Sequence, residues 1–323
     1  MKTACLTGAT GCVGRNLVDE LLKDGWDVIV LHRKSSDLSR LAGCAVRFQE
    51  VDLHDPESVK ASIPPGTDAV FHVAGNTSYW AAEAEQQWKD NVLATRNIVS
   101  AALDRKAGRL IFTSTGATLP FQHFDAEHSS RIKNGYIRTK RLAELEVYRG
   151  IVRGLDAVIL QPIIVIGAYD RNNYAEIFLN MKNSPIRACF PGRISFCHAA
   201  DVARAHIQAY EKGRRGEHYV LGGTFTTWFQ AFRGICGRLG VGDPIVVPKS
   251  ILMIVSYFMV FGAMLTRKKP LLTPDVIRLL EDASDVSDFD QWKAREELGY
   301  RSRPLDVMIE DCYNWLVKER VIG

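Results

Sequence analysis

The chain has 323 residues, with 41 Lys and Arg against 37 Asp and Glu, a formal net charge of +4. So small an imbalance suggests neither a nucleic-acid-binding arm nor an acidic tail, and 46% hydrophobic with 24% charged residues excludes a disordered, collagenous or disulfide-stapled chain. What remains is a globular protein of two domains, or one large α/β domain carrying a smaller lobe.

From the N-terminus, short apolar runs alternate with amphipathic stretches, the pattern of βαβ units around a parallel sheet. Strands are predicted at Thr3–Thr7, Asp27–Leu31, Ala45–Gln49, Ala69–Val73, Leu110–Ser114 and Ala157–Gln161. Val13, Leu17, Val18, Leu21 and Leu22 recur at helical spacing before Gly25, and further helices fit 86–105 and 136–153. The expectation is a Rossmann-type doubly wound sheet formed by residues 1–165 with return segments near 195–222, and a smaller lobe formed mainly by 166–323. The last predicted helix carries Leu305, Met308, Ile309, Cys312, Trp315 and Leu316 on one stripe, most simply read as core.

Ile251–Leu265 (ILMIVSYFMVFGAML) is almost wholly apolar, with Lys249 before it and Arg267, Lys268 and Lys269 after it. It is too short for an upright spanning helix, which needs about 20 residues. A helix buried in the smaller lobe is the first reading; peripheral contact of an apolar face with a membrane or lipid is the second, and a spanning helix the third.

Seven scattered cysteines, an odd number without a C-x-x-C pair, suit free thiols in a reducing compartment. Met1–Thr7 leads straight into a strand without the features of a signal peptide, so a cytoplasmic protein is expected. The eight histidines form no H-E-x-x-H and stand at no metal-ligand spacing, and no metal site is assigned.

Thr7-Gly8-Ala9-Thr10-Gly11-Cys12-Val13-Gly14 is a T-G-x-x-G-x-x-G run between the first predicted strand and helix. Glycines there permit a tight turn, close approach of backbone N–H groups to a pyrophosphate, and packing of helix on strand. Arg15 and Asn16 follow, where a nucleoside-triphosphate P-loop needs Lys and then Ser or Thr. After the second strand, Leu31-His32-Arg33-Lys34-Ser35-Ser36 offers no carboxylate for a ribose 2′-hydroxyl. Arg33, with Lys34 or Ser35 beside it and Arg40 further on, suits a 2′-phosphate instead. NADP is the expected cofactor and NAD the alternative.

Tyr136-Ile137-Arg138-Thr139-Lys140 is a Y-x-x-x-K on a predicted helix, which puts both side chains on one face. Thr113-Ser114-Thr115 closes the preceding strand, where a hydroxyl can enter the cleft. Glycine turn, hydroxyl and Tyr–Lys pair, in this order, resemble the extended short-chain dehydrogenase/reductase family. The resemblance implies that Asp52-Leu53 contacts adenine, and it covers His72-Val73-Ala74-Gly75 and the Asn91–Asn97 helix with Ala94 in the usual Gly place. Gln161-Pro162-Ile163-Ile164-Val165-Ile166-Gly167 is similar to the family's R-P-x-x-V-x-G, which lies against the nicotinamide, with Gln161 in place of Arg. His198–Ala203 and Lys293–Tyr300 resemble two further family segments, for which ordinary packing is an equal reading.

Tyr136 is then the expected acid or base, Lys140 the cation that stabilises its phenolate and holds a ribose, and Thr115 or Ser114 the group on the substrate oxygen, the resemblance favouring Thr115. Gly116-Ala117 after Thr115 lacks the Asp-Glu pair of the family's dehydratases. The aromatic residues Tyr79, Trp80, Phe121, Phe124, Tyr169, Tyr174 and Phe178 suggest a hydrophobic carbonyl substrate and a likeness to the dihydroflavonol reductase and 3β-hydroxysteroid dehydrogenase branches. Two alternatives stay open: a nucleotide-sugar epimerase with retained NAD, and a non-catalytic NADP-sensing protein. The resemblance also implies a homodimer through the helices at 86–105 and 136–153.

Overall fold

All six strands predicted in the first half pair in one sheet, and a seventh from the second half joins it. The computed structural model describes residues 1–119, 126–171, 175–266, 270, 272–278 and 291–322. Phe121, Phe124 and Tyr174 lie outside these. The strands are β1 (Thr3–Thr7), β2 (Asp27–His32), β3 (Arg47–Glu50), β4 (Ala69–His72), β5 (Arg109–Thr113) and β6 (Ala157–Pro162). Further on come β7 (Ile164–Ile166), β8 (Ala188–Cys189), β9 (Arg193–His198) and β10 (His218–Leu221). The main sheet runs β3-β2-β1-β4-β5-β6-β10, parallel throughout.

Parallel strands need crossovers, and these cover both faces, so the central strands read as near-continuous apolar runs. On one face α1 (Cys12–Lys23) packs beside α8 (Ala199–Lys212) over Leu6, Val30 and Phe71. On the other lie α2 (Pro56–Ser62), α4 (Ala94–Asp104) and α6 (Gly135–Val152), over Cys5, Val70 and Phe112. A short α3 (Ala84–Trp88) enters α4 through a π-helical turn at Lys89–Leu93, and a short α5 (Ala126–Ser130) precedes α6. The strand order reverses between β1 and β4, and at such a switch point the loops beyond the carboxyl ends part to form a crevice.

After β6 a smaller lobe has its own sheet, β7-β9-β11 with β11 at Thr224–Thr227, and a two-stranded β8-β12 pair with β12 at Ile245–Val246. The strand-like text at Ser195–Cys197 thus belongs to this second sheet, whereas His218–Leu221 returns to the edge of the first. Helices α7 (Ala175–Asn183), α9 (Trp228–Leu239) and α11 (Leu305–Lys318) close a core around Phe196, Trp228, Phe232 and Leu316. Phe178, expected near the substrate, is fully buried in that core. Between them α10 (Lys249–Thr266) corrects the first reading of the apolar segment. Only Leu252, Ser256 and Ala263 are buried along it, and the rest of its side chains are not.

Candidate active site

The two turns that meet at the switch point dictate each other's residues. Gly8 has φ +75°, and a Cβ on it would stand 2.6 Å from the Ala74 backbone nitrogen. A Cβ on Gly14 would stand 2.1 Å from the Gly8 carbonyl oxygen. Gly11 differs: its nearest neighbour would be the Gly8 oxygen at 3.4 Å, and its φ of −87° suits any residue. Among the described residues nothing requires glycine there. A missing side chain at Gly11 instead leaves the first N–H groups of α1, which no side chain caps, open to the crevice.

Behind the turns runs a chain of hydrogen bonds. The Ala74 N–H donates to Thr7 Oγ1 at 3.1 Å, and that hydroxyl lies 2.8 Å from His72 Nδ1. His72 Nε2 lies 3.1 Å from Thr95 Oγ1, whose own proton goes to the Asn91 carbonyl at 2.6 Å. Thr95 must therefore accept from His72, which fixes the Nε2–H tautomer and makes Thr7 the donor to Nδ1. Burial, helped by Lys140, pushes the His72 pKa down to about 3, so the ring is neutral. Thr7 is spent on this chain and does not line the crevice.

Asn91, in the π-helical turn, is likewise set behind the wall. Its Oδ1 accepts from the Asn76 N–H at 2.7 Å, and its Nδ2 donates to the Asn76 carbonyl and to Thr139 Oγ1. It ties the 74–76 turn to α6, the helix that carries Tyr136 and Lys140. Such π-bulges are frequent at functional sites.

The crevice itself has a volume of about 1170 Å³. This exceeds the range of about 300–1,000 Å³ usual for one small ligand, so two can share it. Of the residues expected at a cofactor, Gly8, Thr10, Gly11, Cys12, Val13, Gly14, Arg33, Asp52, Leu53, Val73, Ala74, Gly75, Pro162, Ile163 and Val165 line it. Lys34 is exposed and does not. At the end beyond β2, Arg33 is joined by His32, Ser36 and Arg40, and Arg40 Nη1 donates to the Thr10 carbonyl at 3.0 Å. This end is lined by cationic side chains, and the uncapped turn lies along the same crevice.

At the opposite end Thr115, Tyr136 and Lys140 face the same space. Burial raises the Tyr136 pKa, and a hydrogen bond with Thr115 opposes this. Tyr79 packs edge-on against the Tyr136 ring with centroids 5.2 Å apart. Lys140 Nζ donates to the Thr113 carbonyl at 2.6 Å and stands 4.6 Å from the Phe112 ring centroid. Its burial lowers the pKa from 10.5 to about 8, with Glu144 acting in the other direction.

Ser114 and Thr115 have different roles in this geometry. Ser114 gives its proton to Glu144 Oε1 at 2.5 Å, and Thr118 and Gln161 donate to the same oxygen at 2.8 and 3.0 Å. Glu144 Oε2 is paired with Arg141 Nη1 at 2.6 Å, all of it buried. Gln161 stands where the family resemblance expects Arg, and the guanidinium beside Glu144 comes from Arg141 on α6.

Tyr79 and Trp80 line the crevice, as does Tyr169, whose hydroxyl donates to Asp19 at 3.0 Å while its ring lies under the Arg15 guanidinium. Tyr169 also has φ +69°, an uncommon conformation for a side chain of this bulk. Sequence reasoning missed Asn76, which donates to Asp90, and the wall residues Pro270, Thr273 and Val276. None of these carries a periodic or motif signal.

A model of the NAD dependent epimerase/dehydratase family matches residues 4–222. The chain is 28% identical to a sterol demethylase protein B of Methylococcus capsulatus, over 99% of this chain and 100% of that one. It is 27% identical to a putative dihydroflavonol 4-reductase of Synechocystis, over 96% and 93%. The crystal structure of gox2253 superposes over the full length of both chains with a TM-score of 0.83 at 27% identity.

Proposed function

The chain belongs to the NAD dependent epimerase/dehydratase family, and within it we propose an NADP-dependent reductase or dehydrogenase acting on a hydrophobic ketone or secondary alcohol. One observation carries the reading: Tyr136, hydrogen-bonded to Thr115 and on the same helix face as Lys140, opens into a crevice continuous with the uncapped turn at Gly11. Gly11, Gly14 and the start of α1 would hold the pyrophosphate, Arg33 and Arg40 the 2′-phosphate, and Lys140 the nicotinamide ribose. The bound nicotinamide supplies or accepts hydride.

The protein's own contribution is to the oxygen. In reduction, charge grows on the carbonyl oxygen, and the Thr115 hydroxyl and Tyr136 Oη are the donors that meet it. Tyr136 gives up its proton there, and the Lys140 ammonium stabilises the phenolate left behind. In the oxidative direction the same phenolate takes the alcohol proton. Tyr79 and Trp80 would supply an apolar wall beside these groups. The names borne by the two full-length relatives, a sterol demethylase protein and a dihydroflavonol reductase, favour a flat, apolar substrate.

The test is mass spectrometry of the co-purified cofactor, followed by NADPH-oxidation assays with aromatic, steroid and acyl ketones and with nucleotide sugars. Consumption of NADPH with a hydrophobic ketone is expected. Tightly retained NAD with sugar turnover and no net use of reductant would instead establish an epimerase.

A further inference from the structure

We propose that α10 beds lengthwise in one leaflet of an anionic lipid bilayer, as a monotopic membrane anchor beside the mouth of the crevice. The helix has 18 residues and so is about 27 Å long, and it is the one helix among the described residues long and apolar enough to cross a membrane. It does not stand free to do so. Leu252, Ser256 and Ala263 are buried along one side, which ties its length to the protein.

The opposite side decides what covers it. At about 100° per residue, the arc from Met264 round to Met259 spans about 220° of the circumference. Ile254, Phe258, Phe261 and Leu265 lie within that arc, with Phe258 72% and Leu265 73% exposed, and no charged residue interrupts it. A helix or sheet docking from a second protein covers a stripe of about 100° and would leave half of this surface in water. Hydrocarbon closes around all of it. The sequence sets Lys249 at the start of the helix and Arg267, Lys268 and Lys269 directly after its end, the complement of anionic headgroups flanking an apolar insert.

The chain also links this surface to the site. Pro270, four residues past the end of α10 and hence within about 14 Å of it, lines the crevice, as do Thr273 and Val276. Asn134, the residue that caps α6 ahead of Tyr136, donates to the Asp275 carbonyl at 3.4 Å. A bilayer holding α10 therefore lies near a segment that lines the crevice and is hydrogen-bonded to the cap of α6. The docking inference concerns this surface alone and does not depend on the reaction assigned to the crevice.

The experiment is co-flotation of the full chain with vesicles of equimolar phosphatidylcholine and phosphatidylglycerol, alongside the Phe258→Glu and Phe261→Glu variants, with light scattering to give the mass of each in solution. Wild type is expected to float with the vesicles and each variant to bind at least tenfold less. Melting temperatures within about 2 °C of wild type would show the variants intact, as exposed positions allow. Failure of wild type to float, flotation of both variants at the wild-type level, or a wild-type oligomer that the variants dissociate without any vesicle binding would each overturn the proposal.

Discussion

Gly11 and Gly14 share one motif but stand in different surroundings, and their alanine variants should part accordingly. In Gly14→Ala the new Cβ meets the Gly8 carbonyl oxygen at 2.1 Å and its carbon at 2.6 Å, both backbone atoms of the same turn. Neither can yield without moving the turn, so a loss of about 3 kcal/mol or more, in the range of severe overpacking, is expected. In Gly11→Ala the nearest atom is at 3.4 Å and φ is −87°. Loss of a favourable N-cap residue, about 0.5–1 kcal/mol, is offset by a comparable gain from the stiffer unfolded chain. Its melting temperature should therefore stay within about 3 °C of wild type. Binding should not survive as well. A methyl group over the open N–H groups of α1 blocks one or two charge-assisted hydrogen bonds of about 1.5–3 kcal/mol each, raising the Kd for NADPH roughly 10- to 100-fold or more. Differential scanning fluorimetry and titration of NADPH fluorescence measure the two effects. NADPH affinity within threefold of wild type in Gly11→Ala would refute a pyrophosphate at this turn; an unshifted melting curve for Gly14→Ala would refute the packing argument.

Tyr136→Phe should lower kcat about a hundredfold or more, the usual range for a lost general acid, while leaving NADPH binding nearly unchanged; near wild-type turnover would remove Tyr136 from the mechanism. Arg33→Asp replaces a cation at the 2′-phosphate end by an anion, and the ratio of kcat/KM for NADPH over NADH should fall by about a hundredfold, with an unchanged ratio counting against the NADP assignment. Lys140 gives a signed pH effect: its pKa is about 8 in the fold against 10.5 for the open chain, so between these values the unfolded state binds the additional proton. Wild type should therefore gain stability relative to Lys140→Met as pH rises from about 8 to about 10, and denaturant titrations showing a flat difference would contradict a buried ammonium.

The legible part of this chain was the part whose chemistry is local. Alternating apolar runs disclosed six strands to within two residues at most ends, and the spacing of Tyr136 and Lys140 set them on one helix face that does line the crevice. What could not be read depends on distant neighbours. Thr7 looks like part of a phosphate turn, yet its partners His72 and Ala74 arrive from β4, more than sixty residues on. The π-helical turn that aims Asn91 has no propensity signature, since it arises from one extra residue in a continuous helix. Phe178 and the exposed phenylalanines of α10 show the same limit from the other side. Hydrophobicity says that a residue gains from leaving water, and only the tertiary arrangement says whether protein or something else receives it.

Gln161 and Arg141 show how such an arrangement satisfies a buried charge. Glu144 lies one helical turn past Lys140, and its carboxylate is buried with Ser114, Thr118 and Gln161 as donors. An unpaired buried carboxylate would be protonated or would destabilise the helix, so a cation is needed. Position 161 on β6 supplies none, and Arg141, three residues before Glu144 on the same helix, does. The pair stands beside Lys140, where Glu144 opposes the burial that lowers the Lys140 pKa. At about 8, that value keeps the ammonium largely protonated at neutral pH, while burial keeps the Tyr136 phenol protonated as well. The resting site thus holds its proton on Tyr136 and its positive charge on Lys140. That is the ionisation state reduction of a ketone requires, and oxidation must first remove a proton from it.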